Sequence, residues 1–85
     1  MVFIYTTCAT KEEAETLGKL VIDKKIGACV DYWPISSMCT WQGKCQNINE
    51  VMMVITTLEN KMESVNDLIS KHHSYSTPMI AGVDV

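Results

Sequence analysis

The sequence predicts an α+β fold of the split βαβ type (βαββαβ), an antiparallel four-stranded sheet with two helices on one face. Three observations carry this reading. The 85 residues run strand, amphipathic helix, strand twice over. A Trp41-Gln42-Gly43-Lys44 turn lies where the two phrases meet. A βαβ crossover also brings its strands into one sheet as parallel neighbours or near neighbours, so two such units joined by a hairpin interleave. The second face of that sheet has no cover from its own chain, so its apolar side chains call for another subunit.

Val2 to Cys8 is a β-branched and aromatic run suited to a buried strand, and Thr10-Lys11-Glu12-Glu13 has the T-x-x-E form of a capping box. Ala14, Leu17, Val21 and Ile22, with Gly18 beside them, follow helical spacing on one face, while Glu12, Glu15, Lys19 and Asp23 point outward. Lys11-Glu12-Glu13 reads as a solvated first turn, and Gly27 as the helix stop. Ala28 to Met38 is the second strand, where Pro34 marks a bend or an edge position. Cys39 to Cys45 turns around Gly43, and Glu50 to Thr57 forms the third strand, which makes a protruding hairpin arm. Asn60 with Glu63 signals a second helix whose face is Met62, Val65, Leu68, Ile69 and His72. Pro78 blocks further helix, and Met79 to Val83 is the last strand.

Residues 1–85 are expected to form one domain. A domain of this size buries only about 60–65% of its unfolded surface, so association would add needed stability. The hydrophobic fraction of 47% is globular. A net charge of −3, with seven Lys spread along the chain and no Arg, leaves no basic stripe for nucleic acid. No run reaches the roughly 18 apolar residues of a membrane span, and the N-terminus lacks the charged and apolar regions of a signal peptide. The expected setting is cytoplasmic. Cys8, Cys29, Cys39 and Cys45 form no C-x-x-C pair, and Cys8 and Cys29 in core-like strands favour reduced thiols that pack as small hydrophobes.

The passages Tyr5-Thr6-Thr7, Ile26-Gly27-Ala28-Cys29-Val30, Trp41-Gln42-Gly43-Lys44, Glu50-Val51 and His72-His73-Ser74-Tyr75-Ser76-Thr77-Pro78 together resemble the CutA divalent-cation tolerance family. The resemblance spans nearly the whole chain, and the W-x-G turn with a later H-x-Y-x-x-P segment is its most specific mark. It implies a ferredoxin-like, PII-like fold assembled as a homotrimer, with divalent metals or a small ligand bound at an intersubunit cleft. It implies no catalysis and no organic cofactor. His72 and His73 correspond to the family's copper histidines, which act with a first-strand cysteine replaced here by Thr6; Cys8, two residues on along the same strand face, is the substitute soft ligand for Cu²⁺ or another divalent cation. The family's cleft residues correspond to Trp41, Glu50, Thr56, Tyr75 and Met79, with Thr56 and Met79 standing where the family has a Lys and a Glu. Losing one cation and one carboxylate together makes that pocket less polar.

Plainer readings stand beside these. Adjacent helical residues lie about 100° apart, so His72 and His73 chelate one ion only across subunits or at a frayed helix end. A histidine at a helix C-terminus also suits the helix dipole without any metal. Trp41 can anchor an oligomer interface, Glu50 can merely flank a strand, and Tyr75 can merely cap the core. The scattered Met residues read as core filler. A metallochaperone of the same fold would need C-x-x-C after the first strand, a phosphatase of the same fold an Arg-bearing loop, and an RNA-binding sheet aromatics on the central strands. Residues 51–55 hold no aromatic. A trimer serving only as an interaction scaffold is the remaining alternative. The family usually continues beyond the last strand with a further strand and helix, so the resemblance implies either a shortened member or a chain whose C-terminal tail lies beyond Val85.

Overall fold

A computed structural model describes residues 1–85. Its elements run β1 (Val2–Cys8), α1 (Lys11–Asp23), β2 (Cys29–Trp41), β3 (Lys44–Thr57), a 3₁₀ turn (Glu59–Lys61), α2 (Met62–His72) and β4 (Ile80–Asp84). The sheet order is β2-β3-β1-β4, with every neighbouring pair antiparallel. β3 lies between β1 and β2, so those two strands are the parallel near neighbours that the split βαβ pattern requires.

Alternation along the central strands sorts the side chains. Val2, Ile4, Thr6 and Cys8 of β1 and Val51, Met53, Ile55 and Thr57 of β3 are buried on the helix side. Ala14, Leu17 and Val21 of α1 and Val65, Leu68 and Ile69 of α2 complete the core. Removing a side chain such as Leu17 or Ile69 from water contributes about 1.5–3 kcal/mol. Thr57 Oγ1 donates to Ile26 O at 2.6 Å, whereas the buried Thr6 hydroxyl has no partner. Neither helix is long and apolar enough to cross a membrane.

α1 begins at a true capping interaction, since Thr10 Oγ1 accepts the Glu13 N–H at 3.1 Å. Its C-terminus differs from expectation. Ile26 N–H donates to Val21 O at 3.2 Å and Lys25 N–H to Ile22 O at 3.0 Å, a Schellman pattern with Lys25 at φ 58° as the left-handed residue. Gly27 is not the stop. It is needed because a Cβ there would collide with Val21 Cγ1 and lie 3.0 Å from Ile55 Cγ2. Ile22 belongs to the outer surface at 44% exposure. Asn60 does not cap α2 either; Lys61 N–H donates to Leu58 O and Met62 N–H to Glu59 O, so the 3₁₀ turn satisfies the early donors. The last residue of α2, His72, is exposed and leaves the packed face to its neighbours.

The hairpin is longer and tighter than the sequence suggests. Gln42 (φ 51°) and Gly43 (φ 77°) both take positive φ, as a two-residue I′ loop requires, so pairing continues to Trp41↔Lys44 where a seven-residue turn was expected. The arm stretches the molecule to 40 Å against 25 and 21 Å across. β2 is an edge strand, which accommodates Pro34. The edge position also leaves Cys29 exposed and out of the core.

On the side away from the helices, the register aligns Phe3, Tyr5, Trp33, Ile35, Met52, Val54 and Val83. The same side continues along the arm through Ile48 to Trp41, which is 62% exposed. No segment of this chain covers it.

Lys25→Gly is expected to raise stability by about 0.5–1 kcal/mol, the left-handed penalty less the entropy of glycine. Gly27→Ala is expected to lower it by about 1–3 kcal/mol through overpacking. Urea unfolding at one fixed protein concentration compares the two.

Candidate functional site

Three elements converge at the C-terminal end of β1. Cys8 ends the strand, Glu13 lies in the first turn of α1, and His73 follows the last residue of α2. Their ligand-type atoms lie within 4.8 Å of one another. The backbone explains why only one of the two histidines takes part. His73 leaves the helix at ψ 145°, so its side chain turns inward and is fully buried, while His72 stays outside and exposed.

Both imidazole nitrogens of His73 are in use. Nε2 lies 2.8 Å from Thr7 O, and a carbonyl can only accept, so Nε2 carries the proton. Nδ1 accepts the Tyr75 N–H at 3.0 Å. Glu13 is equally committed, with Oε1 accepting Ala9 N–H at 2.9 Å and Oε2 accepting Ser74 N–H at 2.6 Å. Its Oε2 also lies 3.8 Å from His73 Nδ1. Burial alone would raise the Glu13 carboxyl, but those N–H donors and the neighbouring imidazole outweigh it and hold the group below its ordinary 4.5. Glu13 is therefore not part of a solvated turn. The capping-box spacing was the signal for it, although its partners sixty residues away are invisible in sequence.

Burial, followed by the carboxylates of Glu13 and Glu50, pushes the Cys8 thiol up to about 11. The phenol of Tyr75 is pushed up to about 12 by burial and by its hydrogen bond to Glu50 Oε2 at 2.8 Å. Glu50 stands opposite Ile35 where the arm leaves the sheet.

By type, a thiol, an imidazole and a carboxylate suit a transition metal. Without an ion the thiol keeps its proton at neutral pH and both nitrogens of His73 hold hydrogen bonds, so an ion held inside one chain would have to displace the Cys8 proton and the Tyr75 N–H. Thr6, at the family's cysteine position, offers only a buried hydroxyl on the helix side of β1. Of the cleft residues, Glu50 and Tyr75 meet, and two others lie apart from them: Trp41 is at the arm tip and Thr56 lies six residues up β3, about 20 Å away by strand rise. Met79 is exposed just before β4.

The chain matches the family model described as CutA1 divalent ion tolerance protein over residues 2–85. It is 39% identical over 83 residues to the divalent-cation tolerance protein CutA of Archaeoglobus fulgidus, covering 98% of this chain and 81% of the relative. The solved structure of that organism's periplasmic divalent cation tolerance protein CutA superposes with a TM-score of 0.95 at 38% identity, covering 100% of this chain and 84% of the other. The PII-like protein CutA from Nostoc sp. PCC 7120, in apo form, superposes with a TM-score of 0.91 at 25% identity, covering 100% and 81%. The chain spans about half the length of the plant and vertebrate relatives it matches.

Alkylation separates the thiols by environment. Cys39 and Cys45 on the arm should react readily at neutral pH, and Cys8 only once denaturant opens the core, as peptide mapping will read. Because the Glu13 carboxyl is lower in the folded state, its contribution is present above the ordinary glutamate value and lost as pH falls through the folded one. Between about pH 5 and pH 3, Glu13→Gln should therefore lose less stability than the parent chain when urea midpoints are compared.

Proposed function

The chain belongs to the CutA1 divalent ion tolerance protein family, and from that premise we propose that it acts as a non-enzymatic homotrimer in divalent-cation tolerance. Copper or another divalent cation, or a small ligand in a PII-like signalling role, is held at clefts between subunits. The observation that supports this reading is the apolar side of the sheet. Phe3, Tyr5, Trp33, Met52 and Val54 form an apolar patch that Ile35 extends to the root of the arm, and beyond Glu50 and Ser37 the same side carries Ile48 and Trp41; an exposed apolar patch of that kind calls for a cover. Trp33 is 43% and Val83 48% exposed in the single chain.

The cleft reading needs a neighbouring copy, because Trp41 at the arm tip and Thr56 lie apart from the Glu50–Tyr75 pair within one chain. An intersubunit site also frees the ion from the closed Cys8–Glu13–His73 cluster. The exposed thiols of Cys29, Cys39 and Cys45 suit a reducing, cytoplasmic setting. One observation favours the scaffold reading, in which the trimer binds partner proteins and no ion: both nitrogens of His73 and both carboxylate oxygens of Glu13 already hold hydrogen bonds inside the chain.

Light scattering coupled to size exclusion should give a mass of about three times the 9.5 kDa chain. Trp33→Glu, which sets a charge on the covered face, should return it to one chain. A Cu²⁺ titration of the two proteins then divides the readings. Saturation in the trimer that vanishes in the variant supports the shared cleft, equal saturation in both places the ion within one chain, and no saturation leaves the scaffold.

A further inference from the structure

We propose that Glu13 and His73 are a latch that positions Tyr75 on Glu50, and that His73 is not a metal ligand. Three successive residues after α2 are held at separate points. The His73 side chain donates through Nε2–H to Thr7 O at the end of β1, the Ser74 N–H goes to Glu13 Oε2, and the Tyr75 N–H goes to His73 Nδ1. Glu13 in turn ties itself to the Ala9 N–H. The end of β1, the start of α1 and the exit of α2 are thus joined through one carboxylate and one imidazole.

With the backbone of residues 74 and 75 fixed, only the side-chain torsions of Tyr75 remain. Its ring lies against the His73 ring at a centroid distance of 4.9 Å and a tilt of 46°, which restricts those torsions as well. The hydroxyl then donates to Glu50 Oε2 at the root of the arm. An ion bound at His73 would have to take the Nδ1 lone pair from the Tyr75 N–H, undoing the placement of Tyr75. For His73, latch and ligand are mutually exclusive roles. The inference takes from the proposed function only the placement of Tyr75 and Glu50 in the ligand cleft.

The test is nitrogen-15 NMR of the full chain with one equivalent of Zn²⁺ as a diamagnetic probe. The expected spectrum shows His73 protonated at Nε2, bare at Nδ1 and unmoved by zinc, with cross-relaxation between the His73 and Tyr75 rings. His73→Gln should cut the exchange protection of the Tyr75 amide by about ten-fold and abolish the ordered Tyr75 hydroxyl signal, while the Ile55 and Ile69 amides stay protected. If that variant does not fold, Glu13→Gln reads the same Tyr75 signals through loss of the Ser74 anchor. A His73 Nδ1 shift that saturates at one Zn²⁺ overturns the proposal, as does a Tyr75 signal unchanged in the folded variant. The mass of the same sample separates the two readings: a monomer with Tyr75 held in place defeats the shared cleft and keeps the latch.

Discussion

The pairing of β1 with β3 decides nearly everything else in this molecule. Ile4 stands opposite Ile55, and from that register follow two faces of different kinds. Val2, Ile4, Cys8, Val51, Met53 and Ile55 go beneath the helices, while Phe3, Tyr5, Met52 and Val54 go to the open side. A slip of one residue would exchange the two sets. It would also move Thr7 O and Cys8 out of reach of the segment after α2. Core, association surface and polar cluster are consequences of a single register.

The polar cluster shows how metal-ligand residue types serve a structural purpose. Cysteine, glutamate and histidine within a few ångströms are the residue types of a metal site, and here the imidazole nitrogens and the carboxylate oxygens hold the chain's own hydrogen bonds. The site sits at a chain crossing where backbone N–H groups of Ala9, Ser74 and the half-buried Tyr75 have no helix or strand partner. Glu13 and His73 supply the acceptors. Beside that cluster, the Glu50–Tyr75 pair stands at the root of an arm carrying Trp41 at its tip.

Local rules reached some of this and stopped at definite points. The capping residue Thr10, both amphipathic helices and the hairpin were legible because each depends on spacing within a few residues. The helix stop was misread at Gly27 because glycine has two uses, and which one applied depended on Val21 and Ile55 standing against it. Asn60 looked like a cap, but the turn from β3 satisfied the same donors with backbone carbonyls. The Glu13 carboxylate looked solvated because its second partner, the Ser74 N–H, is distant in sequence.

By itself, the sequence determined the order of elements, the two periodicities and an uncovered apolar sheet side, since these follow from side-chain alternation and helical spacing. Only the tertiary structure decided that His73 turns inward while His72 faces water, that Glu13 joins it, and that Trp41 and Thr56 stay apart from Tyr75 in one chain. The reason is that periodicity constrains neighbours along the chain. Which lone pair meets which donor across the sheet is settled by the register, the crossover and the torsion at which a helix ends.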